Sequence, residues 1–195
     1  MENEFSYYII EPNITERTPL LMNKSGMNPE GINFLYYDRM VSDDYIAYLQ
    51  FLMPLKNPDM DTDYLVLEGN GVFSGKIKNA LIKHMPIRSL QLVEAVINEN
   101  NAEYKDFWIA NIYNSFSLFD EELSEYDDID DEMWFGIEKI VLSKERLTKI
   151  PLEERLVFEA AEDCAFTLYH ESIVDIIKSV DPKGMHFIPV EEWRG

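Results

Sequence analysis

The first apolar run, FSYYIIEP (residues 5–12), reads as an opening strand that ends at Pro12. NITERTPLLMNKSGMNPEGIN (13–33) is rich in Pro, Gly and Asn and predicts an irregular loop. SDDYIAYLQFL (42–52) predicts a helix. Ser42 can cap it, Asp43 and Asp44 suit the positive end of its dipole, Ile46, Leu49 and Leu52 share a face, and Pro54 stops it. YLVLE (64–68) predicts a strand, followed by the glycine-containing turn GNGVFSG (69–75) and the amphipathic helix SGKIKNALIKHM (74–85). Further strands are expected at FWIANIY (107–113), at 135–142 and at LVFEA (156–160).

The pattern also repeats. SGKIKNALIKHMPIRSLQLVEAVI (74–97) lines up with ESIVDIIKSVDPKGMHFIPVEEW (171–193) at an offset of 95 residues. Leu81 and Ile82 match Ile176 and Ile177, Lys83 matches Lys178, and Leu90 and Leu92 match Met185 and Phe187. Each copy reads as a short amphipathic helix, a tight turn and a strand, with Ser172 and Asp175 placed for a capping box in the second. Leu81, Leu92, Ile176 and Phe187 are expected to be buried. The fold class that follows is α+β, with mixed and antiparallel sheets, short amphipathic helices and two related helix-turn-strand modules. Residues 1–60 would supply a strand, a loop and a helix packed on a body formed by 61–195, in one compact unit.

Composition adds a constraint on partners. The 195 residues carry 37 acids against 17 bases, a formal charge of −20. Residues 1–100 hold 14 acids and 8 bases and the remainder 23 and 9, so the excess grows from −6 to −14. Nucleic acid and anionic membranes would be repelled, and a basic partner is favoured. Nine of the thirteen residues from Asp120 to Glu132 are acidic, interleaved with Leu123, Tyr126 and Ile129 and flanked by Phe119, Met133 and Trp134. A segment anchored by these apolar groups and presenting carboxylates outward is expected; a solvated acidic loop also fits. The candidate binding residues are Asp120, Glu121, Glu122, Glu125, Tyr126, Asp127, Asp128, Asp130, Asp131 and Trp134. The four aspartates from Asp127 to Asp131 form the electrostatic centre, with Tyr126 and Trp134 as apolar anchors.

Catalytic and metal motifs are incomplete. Asp59, Asp61 and Asp63 start a calcium-loop spacing, but Tyr64 stands where Gly is needed and Asn70 where a closing Glu is needed. HESIV (170–174) lacks the second histidine of a zinc-protease helix, and His84 and His186 form no evident cluster with His170. Gly69, Gly71 and Gly75 follow a strand and precede a helix, which keeps open a nucleotide-binding turn and hence a small nucleotide-binding enzyme or regulator. The spacing departs from the dinucleotide fingerprint, and a structural turn is preferred. Cys164, the single cysteine, sits in EDCAFTLY, where acidic and apolar neighbours predict a buried, inert thiol and exclude an intrachain disulfide. MENEFSYYIIEP has neither the basic nor the apolar region of a signal peptide, and no stretch is long enough to span a bilayer, so a cytoplasmic protein is expected.

Three stretches, SLQLVEAVI, FWIANIYNSFSLFDEELSEY and IVDIIKSVDPKGMHFIPVEE, resemble a family of bacterial polymorphic-toxin immunity proteins first catalogued as a domain of unknown function. The likeness covers roughly residues 60–192, with YYII the only addition from the N-terminal third, and its motifs are structural. The resemblance implies a non-enzymatic inhibitor that binds a cognate toxin one-to-one; the defective calcium loop, the incomplete zinc motif and the single Cys164 lead to the expectation that it needs neither metal nor cofactor. The acidic composition suggests a basic toxin, and the inhibitor itself would be a monomer or weak homodimer.

Overall fold

The computed structural model describes residues 2–28, 39–84, 86–126 and 137–195. Six strands close a barrel: β2 (Leu20–Asn23), β3 (Ile46–Phe51), β4 (Tyr64–Leu67), β5 (Asn70–Ser74), β6 (Leu90–Glu99) and β7 (Ala102–Ile112), in the order β2-β3-β6-β7-β5-β4. The β3–β6 and β2–β4 pairs are parallel and the other pairs antiparallel. Closure leaves no free edge. Leu21, Leu49, Leu65, Val72, Ile97 and Ile109 are among the side chains that fill the interior.

The 42–52 segment therefore forms no helix. Ala47, Leu49 and Phe51 are buried whereas Ile46 and Leu52 are exposed, a period of two. Leu49 satisfies both periods; backbone pairing with β2 and β6 and the burial of Ala47 and Phe51 decide for the strand. Ser42 hydrogen-bonds Asp44 instead of capping a helix. The expected loop 13–33 contains β2, which completes the barrel beside β4.

GNGVFSG is likewise not one turn. The chain reverses at Glu68 and Gly69, both at positive φ, and Asn70–Ser74 returns as a strand against β4 and β7. The later glycines serve close packing. A Cβ on Gly71 would come within 2.7 Å of the Tyr64 ring, and one on Gly75 would collide with the Asp106 carboxylate.

A second sheet, in the order β13-β1-β12-β11-β8, joins β1 (Tyr7–Pro12), β8 (Ser115–Phe116), β11 (Val157–Ala160), β12 (Asp163–His170) and β13 (Met185–Pro189). α1 (Gly75–Leu81) and α3 (Glu171–Lys178) pack together in a core that joins barrel to sheet, with Tyr64, Phe73, Val157 and Tyr169. The other sheet face packs Tyr7, Ile9, Phe158 and Leu168 against Leu118, Phe119, Ile140 and Leu147. The N-terminal third thus supplies β1 to the sheet and β2 and β3 to the barrel.

Both echoed stretches form helix, turn and strand. Their strands keep the 95-residue offset, with Leu90 and Met185 buried and Leu92 and Phe187 partly buried. The helices match better at 96: Ile77 and Leu81 pair in role with Ile173 and Ile177, all buried, whereas Ile82 is exposed. Of the four side chains expected to be buried, Leu81 is fully so; Leu92, Ile176 and Phe187 are partly covered. The cap of α3 is His170, whose Nδ1 accepts the Ser172 N–H at 3.2 Å, so Ser172 lies inside the helix.

Candidate functional site

The acidic corner is built on a strand-like connection. After β8, Leu118 and Phe119 are buried, and Phe119 bridges Leu142 in antiparallel fashion. Asp120 N–H donates to the Val141 carbonyl at 2.7 Å, and Ser143 N–H to the Leu118 carbonyl at 2.8 Å. Asp120 then shapes the turn: its carboxylate accepts the N–H groups of Glu122 (3.2 Å) and Leu123 (3.3 Å), and its carbonyl accepts Ser124 N–H (2.8 Å). β9 (Glu125–Tyr126) follows and pairs antiparallel with β10 (Ile137–Lys139).

Two basic residues hold the corner. Arg146, on the one-turn helix α2 (Lys144–Leu147), donates to the Phe119 carbonyl at 3.1 Å and pairs with Glu121 at 3.1 Å. Lys139 donates to Glu125 at 2.6 Å and holds that carboxyl below its ordinary range. From below, Glu162 accepts Phe119 N–H (2.8 Å) and the Ser117 hydroxyl (3.0 Å). Burial, followed by the charge of Glu162, raises the Tyr126 hydroxyl pKa.

Of the residues singled out from sequence, Asp120, Glu121, Glu122, Glu125 and Tyr126 lie on this corner. Asp127, Asp128, Asp130, Asp131 and Trp134 lie outside the described residues, as do Ile129, Glu132 and Met133. Asp120 is a turn-former, and Glu121 and Glu125 are engaged by Arg146 and Lys139, so these three are not a bare row of negative charge. Phe119 anchors the segment, but Leu123 does not: it is 58% exposed, and Tyr126 is 38% exposed. Tyr126 is thus exposed as well, and Leu123 departs furthest from the anchoring role expected of the segment's apolar groups. Its position between Glu122 and Ser124 on a turn carried the signal, because a tight turn leaves no room to fold that side chain back.

The other motifs resolve into structural contacts. Asp63 is buried. Burial alone would raise its pKa, but bonds from Lys76 (2.6 Å), Ser74 (2.5 Å) and Lys183 N–H (2.8 Å) outweigh it and leave the carboxyl below its usual value. Asp61 pairs with Lys183 at 2.8 Å. His170 caps α3, His84 follows α1 in a 3-10 turn, and His186 is exposed on β13. Cys164 lies on β12, and its side chain is outside the described residues. Among the described residues no helix is long and apolar enough to cross a membrane.

A pocket of about 380 Å³ adjoins the corner, bordered by Phe5, Tyr7, Leu142, Lys144, Leu147 and Val190 among others. Lys139 lies in its wall as well as in the pair with Glu125. No family model matches the chain, and no curated protein matches its sequence.

Proposed function

We propose that this chain is an immunity protein that neutralises a basic bacterial toxin by protein–protein contact at the 120–126 corner. The observation that carries the reading is Leu123, an exposed aliphatic side chain held on a hydrogen-bonded turn among exposed Glu121, Glu122 and Glu125. An apolar group ringed by charges is how compact interfaces combine a desolvated anchor with long-range steering. The formal charge of −20 favours a cationic partner over the range that salt screening allows. Arg146 and Lys139 fix the carboxylates of Glu121 and Glu125, so binding needs little further ordering of those side chains. Toxin inhibition, as opposed to binding alone, rests on the resemblance of the 60–192 region to immunity proteins. The Gly69–Gly75 alternative lacks a phosphate-cradling loop, because Asn70–Ser74 is a barrel strand.

The test is protection of bacteria expressing a basic toxin domain, starting with any encoded beside this chain. Leu123→Asp should melt like the parent, since the side chain is exposed, yet bind about ten- to a hundred-fold more weakly and lose protection. Full protection by that variant would remove the corner from the interface.

A further inference from the structure

We propose that the outer wall of the barrel between β2 and β3 is the contact face of a weak, two-fold symmetric dimer of this chain. Leu21 and Phe51 oppose one another across the two strands and both fill the barrel, so their neighbours Leu20 and Leu52 point outward. Leu52 N–H donates to the Leu20 carbonyl at 2.8 Å, which sets these two side chains side by side on the outside. Met53 follows directly, and Val66 of β4 flanks Leu20 on its other side. Leu20 is exposed, and Leu52 and Met53 are 52% and 62% so. Apolar groups scattered singly over a surface mean little, but these are neighbours, and a contiguous exposed patch marks a contact face.

Charge decides what covers this wall. The turn at Glu16 and Arg17 lies against the 54–60 loop, through Arg17 Nε to the Asn57 carbonyl and Asp59 N–H to the Arg17 carbonyl, both at 2.9 Å. These two segments bring Glu16, Arg17, Lys56 and Asp59 to the end of the wall that carries Leu20 and Leu52, two charges of each sign. The stretches that form the wall, 13–28 and 46–60, hold two acids and three bases, in a molecule of formal charge −20. The wall is therefore a near-neutral island on an acidic protein.

A basic toxin gains nothing from a face without net acid, and nucleic acid or an anionic membrane is turned away by the charge of the whole molecule. A second copy of this chain gains most. Two molecules of charge −20 repel in nearly every orientation, and least where their near-neutral faces meet. A two-fold arrangement lets the bases of one rim pair with the acids of the other, around the charge-poor apolar centre that interfaces favour. Few side chains form that centre, so the dimer is weak. Salt screens the repulsion between the two copies and strengthens their association, the opposite of its effect on capture of a basic toxin. The acidic corner is built on other elements, β8, β9 and β10, so self-association and toxin binding are separable by mutation.

The test is sedimentation of the full chain, without toxin, at concentrations from about 10 μM to about 1 mM. A monomer–dimer equilibrium is expected, tightening by about three-fold or more between about 0.05 M and about 0.5 M salt. Leu52→Asp and Met53→Asp, both at exposed positions, should melt like the parent and weaken the dimer by about ten-fold or more. Leu52→Gln, which adds no charge, should act in the same direction. Leu123→Asp should leave the dimer unchanged, which tells failure of this face from failure of the acidic corner. The proposal is overturned if the chain stays monomeric at the highest concentration in high salt, if both aspartate variants dimerise like the parent, or if salt weakens the dimer. A monomeric parent whose aspartate variants lose toxin protection would give the wall to a different protein and exclude the second copy.

Discussion

Arg155 shows how much a single side chain carries here. It is 1% exposed, and its guanidinium donates to the carbonyls of Ile150 (3.0 Å) and Glu4 (2.8 Å), to the Tyr7 hydroxyl (2.6 Å) and to the Glu4 carboxylate (3.1 Å). Removing the donor strands the buried Tyr7 hydroxyl and the half-buried Ile150 carbonyl, so Arg155→Met should lower stability by about 2–4 kcal/mol in chemical denaturation. Glu159 behaves differently. Burial pushes its carboxyl up to about 7, with no cation to offset the loss of water. Its folded pKa thus exceeds its unfolded one: its contribution is fully favourable below about pH 4.5 and is lost as pH rises toward 7. Because the group is partly exposed, the loss should be only about 1–2 kcal/mol. Glu159→Gln should flatten that part of the stability–pH curve relative to the parent, and identical curves would contradict it.

At the scale of elements, Leu49 and Ile46 offer a direct contrast. Only Leu49 enters the barrel, so Leu49→Ala should cost about 2–5 kcal/mol and Ile46→Ala well under that. A helix burying both would make the two losses similar. Strands with dense aromatic and β-branched content, such as β1, β4, β7 and β11, were legible in the sequence because local pattern and final environment agree. β3 was not, since Asp43, Asp44 and Leu49 also satisfy a helix start and a helical face, and only pairing with β2 and β6 breaks the tie. β5 was hidden by glycines that mimic a loop but serve packing against Tyr64 and Asp106. The helix-strand echo was legible in kind, and its helices are displaced by one residue because the intervening turns differ. The acidity of the corner could be read directly. Its pairing with Arg146 and Lys139 depends on long-range contacts that no local pattern encodes.

For the whole molecule, the formal charge of −20 and the corner act at different ranges. The overall field attracts a cationic protein, and the corner is proposed to set how such a protein docks. Neutralising Glu121, Glu122 and Glu125 removes little of the total charge but three of the four carboxylate charges at the proposed contact. The most direct measurement is the association rate of a basic toxin with the parent and with that triple glutamine variant, across a range of ionic strength. Docking at the corner predicts that the variant associates about ten-fold more slowly at low salt, that its rate depends less steeply on salt, and that the two proteins converge at high salt. Equal rates and equal salt dependence for the two proteins would contradict the corner as the binding face.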